Sequence, residues 1–164
     1  MSDSVEVGLI SDTHGLLRPE AVAALEGVDQ IVHAGDVGPQ SILDTLEQIA
    51  PVSVVRGNTD HGTHADVWPA TAAVQVAGRV LYVVHDILDL DIDPGVAEMA
   101  AVVYGHSHQP SAEVREGVLF VNPGSAGPRR FTLPITVARL RLRGQDMSLD
   151  FCDLETAATE RWDG

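Results

Sequence analysis

Seven residues of this 164-residue chain have the side chains and the spacing to hold metal ions: Asp12, His14, Asp36, Asn58, His85, His106 and His108. In "SDTH" and "GHSH" the members of each pair, Asp12 with His14 and His106 with His108, are two residues apart. In extended backbone such pairs project from one side and can grip ions in one cleft. Asp36 follows a glycine in "GD", Asn58 follows one in "GN", and His85 closes the run "RVLYVV". Two carboxylates, an amide oxygen and four imidazoles, with no thiolate, suit Mn, Fe, Zn, Co or Ni and are too rich in nitrogen for Ca or Mg. One ion cannot use seven such donors. Two ions sharing one carboxylate can, at the ~3.5–4 Å separation of binuclear hydrolytic sites, and manganese is the expected ion.

Positioning these groups falls to what precedes them. "VEVGLI" runs into "SDTH", "QIVHA" into "GD", "VSVVR" into "GNTD", "RVLYVV" into "HD", "MAAVVY" into "GHSH" and "GVLFV" into "NPGS". Each run reads as a strand, and strand ends in α/β sheets are where loops bring distant residues together. The candidates therefore share a rim. Between the first runs, "RPEAVAALEG" starts a helix at Pro19 and stops it at Gly27, and "PQSILDTLEQIA" sets Ile42, Leu43, Leu46 and Ile49 on one helical face. A weaker helix is predicted over 94–100. The opening β-α-β-α-β implies parallel pairing, and the consecutive strands from Ala72 onward predict a largely antiparallel second half. The expected fold is α/β (α+β), a four-layer αββα sandwich of two mixed β-sheets flanked by helices, in one domain over 1–164.

The ordered set D-x-H at 12–14, G-D at 35–36, G-N at 57–58, a lone histidine at 85 and G-H-x-H at 105–108 resembles the calcineurin-like metallophosphoesterases, in particular their small bacterial and archaeal phosphodiesterases. "NPGSAGPRR" at 122–130 is similar to the same branch. The resemblance implies the αββα fold reached from strand order. It also implies Asp12, His14, Asp36 and His108 around one ion, Asp36, Asn58, His85 and His106 around the other, and catalytic roles for Asp36, Asn58 and His106. Two divalent ions bring +4 and two carboxylates return -2, so the centre keeps about +2, which attracts a phosphoester and acidifies a bridging water into a nucleophile. Two departures stand out. Thr59 in "GNTD" replaces the histidine that many relatives use to protonate the leaving group, and Asp86 follows His85 where relatives often read G-H-G or T-H-G-H. Asp86 reads either as a solvated loop acid or as a carboxylate supporting a ligand.

Composition narrows the partners. The ten basic residues are all arginine and face 24 acidic ones, a net charge of -14, which repels large nucleic acids and anionic membranes. No stretch approaches ~20 apolar residues, and "MSDSVEVGLI" lacks a basic lead, so a cytoplasmic protein acting on a small phosphoester is expected, with a homo-oligomer left open. Cys152, a single cysteine, reads as inert. His33 reads as structural, His61 and His64 as loop residues within possible reach of substrate, and Asp60 as a carboxylate orienting its neighbours. Asn122, Gly124 and Ser125 predict a tight turn under the site. Arg129 and Arg130 read as ion-paired or as a substrate clamp, and Arg139, Arg141 and Arg143 as one polar strand face opposite "SLD". A non-catalytic metal-binding scaffold of the same fold, acting in a protein complex, is the alternative function; the complete set of seven ligands favours the enzyme.

Overall fold

A computed structural model describes residues 4–62 and 64–163. The chain opens with β1 (Val5–Ile10), α1 (Pro19–Ala24), β2 (Gln30–His33), α2 (Gln40–Glu47) and β3 (Val52–Val54). β1, β2 and β3 pair in parallel, as the alternation of strand and helix demands. Pro19 opens α1, where its missing N–H costs nothing, and α2 buries Ile42, Leu43 and Leu46; Ile49 falls just beyond that helix, partly buried. On β1, Val7 and Leu9 face one way into the core between the sheets, while Ile10 packs with Leu25, Ile31 and Leu46 beneath the helices. Both faces are buried, which is why this strand reads as a nearly unbroken apolar run.

The second sheet holds β4 (Thr71–Val76), β5 (Arg79–Val84), β6 (Ala101–Val103), β7 (Ser111–Arg115) and β8 (Val118–Asn122), in the order β4-β5-β6-β8-β7. β9 (Thr136–Arg143), β10 (Asp146–Asp153) and β11 (Thr159–Trp162) return to the first sheet, whose order is β11-β10-β9-β1-β2-β3. The two mixed sheets pack face to face through Val7, Leu9, Val32, Leu81, Val83, Val121, Leu140 and Leu142. Arg139, Arg141 and Arg143 lie opposite Asp150, Ser148 and Asp146 across the β9–β10 pair, as the alternating pattern predicts.

The expectations for the second half are met in part. Pairing there is largely antiparallel, as expected, through β4–β5, β7–β8, β1–β9, β9–β10 and β10–β11; the exceptions are β5–β6 and β6–β8, which are parallel. The chain crosses the outer face between β5 and β6, and β7 steps out to the edge so that β8 can return beside β6. Residues 94–100 form turns, not a helix: Asp93 Oδ1 accepts from the N–H groups of Gly95 and Val96, and Glu98 ends the turn with φ of 57°. Consequently the layer outside the second sheet is made by a 3-10 turn (Ile87–Asp89) and loops, whose Ile87, Leu90, Ile92 and Met99 cover Tyr82, Val84, Val102 and Phe120. Parallel pairing in both sheets matters for function. It leaves the carboxyl ends of β1, β2, β3, β5, β6 and β8 to feed the loops that carry the candidate residues.

Candidate metal centre

Five of the seven candidates sit in left-handed backbone: Asp12 (φ 56°), His14 (46°), Asp36 (56°), His106 (71°) and His108 (65°). The extended-pair geometry expected for "SDTH" and "GHSH" is therefore wrong. Both members of each pair turn the chain left-handedly in a loop, which brings Asp12 and His14 to one group and sends His106 and His108 to different ones. Such conformations cost a non-glycine residue about 1–2 kcal/mol, and clustering them in three loops is the mark of backbone held for function.

Glycine lets those loops interpenetrate. A Cβ on Gly57 would lie 2.1 Å from Asp36 Oδ1, and one on Gly105 would lie 2.1 Å from Ser11 Oγ and 2.6 Å from Asp12 Oδ2. The close approach lets one oxygen of each carboxylate be pinned by the neighbouring loop. Asp36 Oδ1 accepts from the Thr59 N–H at 2.9 Å, and Asp12 Oδ2 accepts from the Ser11 hydroxyl at 2.6 Å and the His106 N–H at 3.1 Å.

The remaining oxygens meet the imidazoles. Asp12 Oδ1 lies 3.4 Å from His108 Nε2 and 3.6 Å from His14 Nε2, and the two ring nitrogens are 3.2 Å apart. Asp36 Oδ2 lies 3.2 Å from His85 Nε2 and 3.6 Å from His14 Nε2. Asn58 Oδ1 lies 3.0 Å from His85 Nε2 and 3.1 Å from His106 Nδ1. The seven candidates thus come together in two adjoining groups. Asp36 reaches both, and so does Asp12, whose Oδ1 is also 3.9 Å from His85 Nε2.

Whether a cation fits can be read from lone pairs. His85 Nδ1 lies 2.7 Å from the Ala34 carbonyl oxygen, which only accepts, so the ring's proton is on Nδ1. His85 Nε2 is then bare, facing Asp36 Oδ2 and Asn58 Oδ1, which are also acceptors. In the neutral ring the Nε2 lone pair, about 3 Å from each of these oxygens, is repelled unless a positive charge stands among them. In the other group, Asp12 Oδ1, which faces the Nε2 atoms of His14 and His108, is buried without a hydrogen-bond partner among the described residues. Such orphaned buried groups cost free energy unless a ligand satisfies them.

Electrostatics points the same way. Burial opposes ionisation of Asp36, but His85 and the Thr59 N–H outweigh it and hold the carboxyl at about 2. Burial also opposes ionisation of Asp12, yet the imidazoles of His108 and His14 and the Ser11 hydroxyl hold it well below the usual carboxylate range. Asp12 raises His14. Burial alone would lower His85, but Asp36 and Asp12 raise it. The centre keeps its carboxylates charged and favours positive charge at His14 and His85, the balance that a bound cation would also satisfy.

The family model for the calcineurin-like phosphoesterase superfamily domain matches residues 5–145. The chain belongs to this superfamily. It is 32% identical over 161 residues, covering 88% of this chain and 90% of the relative, to a probable metallophosphoesterase of Methanothermobacter thermautotrophicus. It is 30% identical over 139 residues, covering 70% of this chain and 76% of the relative, to phosphodiesterase YfcE of Escherichia coli. The solved structure of Vacuolar Protein Sorting 29 from Cryptosporidium parvum matches with a TM-score of 0.80 at 24% identity, covering 97% of this chain and 96% of that one. At that identity the likeness concerns the fold.

In this member of the superfamily the surrounding residues are mostly structural. Asp60 is buried and accepts from the N–H groups of Val37, Gly38 and Gly57, knitting the "GD" and "GN" loops together. His33 is fully buried, with Nε2 on the Thr13 hydroxyl and Nδ1 accepting from Gly35 N–H. Asn122 donates to the Gly105 carbonyl and accepts from Gly124 N–H, holding the "GHSH" loop from below, and the Ser125 hydroxyl donates to the Asp12 carbonyl. Arg129 pairs with Glu155 and donates to the Leu133 carbonyl. His64 packs edge-on to Trp68, and His61 is exposed. Thr59 contributes a backbone donor. Asn58 and His106 are the exposed members of the centre, beside a cavity of about 370 Å³ also lined by Arg56, Thr71 and Asp86. The glycine contacts and the left-handed ligands escape a spacing analysis; the glycine before each of "D", "N" and "H" was the available signal.

Proposed function

We propose that the chain is a metal-dependent phosphodiesterase whose two divalent ions are held by Asp12, His14, Asp36 and His108 and by Asp36, Asn58, His85 and His106. The observation that carries this reading is the convergence of His85 Nε2, Asp36 Oδ2 and Asn58 Oδ1 while the other nitrogen of His85 is held by the Ala34 carbonyl. Divalent ions there, manganese by expectation, would supply Lewis-acid charge for a phosphoryl oxygen and a nucleophile from water near neutral pH. The chain's own part is positioning. Asp36, pinned through Oδ1 by Thr59, presents Oδ2 to both groups. Asn58 adds a neutral oxygen, which preserves the positive charge a phosphate needs. His106, at the exposed mouth, meets the incoming ester.

A small phosphoester in the cytoplasm is the substrate class this reading entails. The likeness of fold to Vacuolar Protein Sorting 29 motivates the scaffold alternative, a metal-binding subunit without turnover. Hydrolysis of bis(p-nitrophenyl) phosphate by chelator-stripped protein resupplied with Mn²⁺ separates the two. Metal-dependent turnover that falls roughly 10²-fold or more in Asp36→Asn is expected; metal uptake without turnover of any mono- or diester would establish the scaffold.

A further inference from the structure

Asp86 stands directly after His85 and has two oxygens with different tasks. Oδ1 accepts from the Leu88 N–H at 3.0 Å, capping the 3-10 turn and fixing the carboxylate in place. Oδ2 then faces His106 Nε2 at 3.6 Å, longer than a hydrogen bond but close enough for a charge to bias where the ring carries its proton. On its other side His106 presents Nδ1 to Asn58 Oδ1 at 3.1 Å. The ring therefore has two competing states. With the proton on Nδ1 it would donate to Asn58, and the two ligand atoms would be spent on each other. With the proton on Nε2, both Nδ1 and Asn58 Oδ1 are open to a cation.

We propose that Asp86 is a positioning residue for His106, whose carboxylate keeps the imidazole proton on Nε2 and so leaves Nδ1 free for an ion beside Asn58. The proposal rests on the metal-centred reading above for its consequence, not for its geometry. His85 has its tautomer fixed by the Ala34 carbonyl; Asp86 does for His106 what that carbonyl does for His85. The residue that departs from the expected G-H-G pattern thereby acquires a task in the centre.

Asp86→Asn separates this role from turn capping. Its amide oxygen still caps Leu88, but its NH₂ group turns toward His106 Nε2 and favours the opposite tautomer. Asp86→Ser also keeps a capping oxygen while leaving Nε2 to water. In ¹⁵N–¹H correlation spectra of the metal-free protein at pH 8, wild type is expected to show His106 protonated at Nε2, Asp86→Asn at Nδ1 and Asp86→Ser a mixture. Calorimetric titration with Mn²⁺ should show one ion bound ~10–100-fold more weakly in Asp86→Asn and the other unchanged. An unchanged tautomer and unchanged affinities in Asp86→Asn, with wild type binding two ions, would overturn the proposal. The expected tautomer shift in a protein that binds no ion would instead uphold the positioning and overturn the metal-centred reading.

Discussion

His106 and His108 leave one loop two residues apart and reach different groups, His106 Nδ1 toward Asn58 and His108 Nε2 toward Asp12. His106→Ala should therefore empty one ion position and His108→Ala the other, each leaving close to one ion per chain by elemental analysis; loss of the same ion from both would break the division into two groups. Thr59 makes a second prediction. Its contribution to the centre is a backbone N–H, and a threonine hydroxyl cannot act as an acid near pH 7. Rates should then depend steeply on the leaving group, with nitrophenyl diesters cut far faster than alkyl diesters, since positioned acid catalysis is worth ~10²–10⁴. His61 and His64 are the competing acids. If rates are nearly flat across leaving groups, and His61→Ala or His64→Ala makes them steep, one of those rings supplies the proton.

Among the elements, the loops carry the precision and the strands carry the address. That the candidates share a rim was legible in the sequence, because each apolar run ends on one of them and the β-α-β-α-β opening forces parallel pairing. The left-handed conformation of Asp12 or His106 was not legible, since aspartate and histidine occupy ordinary loops equally well. Nor was the parallel insertion of β8 beside β6, because a hairpin that steps outward and one that continues a meander have the same strand pattern. Residues 94–100 have helix-forming types at Ala97, Glu98 and Met99, but Asp93 closes a turn on Gly95 and Val96 first. The loop geometry gives a prediction at this scale. Gly105→Ala adds a methyl group against Ser11 Oγ and Asp12 Oδ2. It should cost about 1–3 kcal/mol in urea unfolding and lower metal occupancy along with it. Wild-type stability and occupancy would mean that the loops have room they do not show.

Taken whole, the molecule carries a net charge of -14 around a centre that must attract an anion, and the ions proposed there reverse the sign locally. Stability has its own pH signature. Burial pushes the His33 imidazole from 6.5 down to about 4, so the folded protein holds it neutral where the unfolded chain protonates it. The unfolded state then binds more protons between these values. Stability from this residue is full above pH 6.5 and is lost as pH falls toward 4, about 3 kcal/mol in all at ~1.4 per unit. Urea unfolding of the metal-free protein should show a shallower loss over that window in His33→Gln than in wild type; His14 and His85, whose raised values act in the opposite sense, are common to both. Identical slopes would place the acid sensitivity elsewhere. The most direct test of the central claim is a titration of chelator-stripped protein with Mn²⁺ in which bound metal and hydrolysis of bis(p-nitrophenyl) phosphate are measured on the same samples. Binding should saturate at two ions per chain, with turnover appearing as occupancy passes one and reaching its maximum at two. Saturation at a single ion with full turnover, or at two with none, would contradict the account.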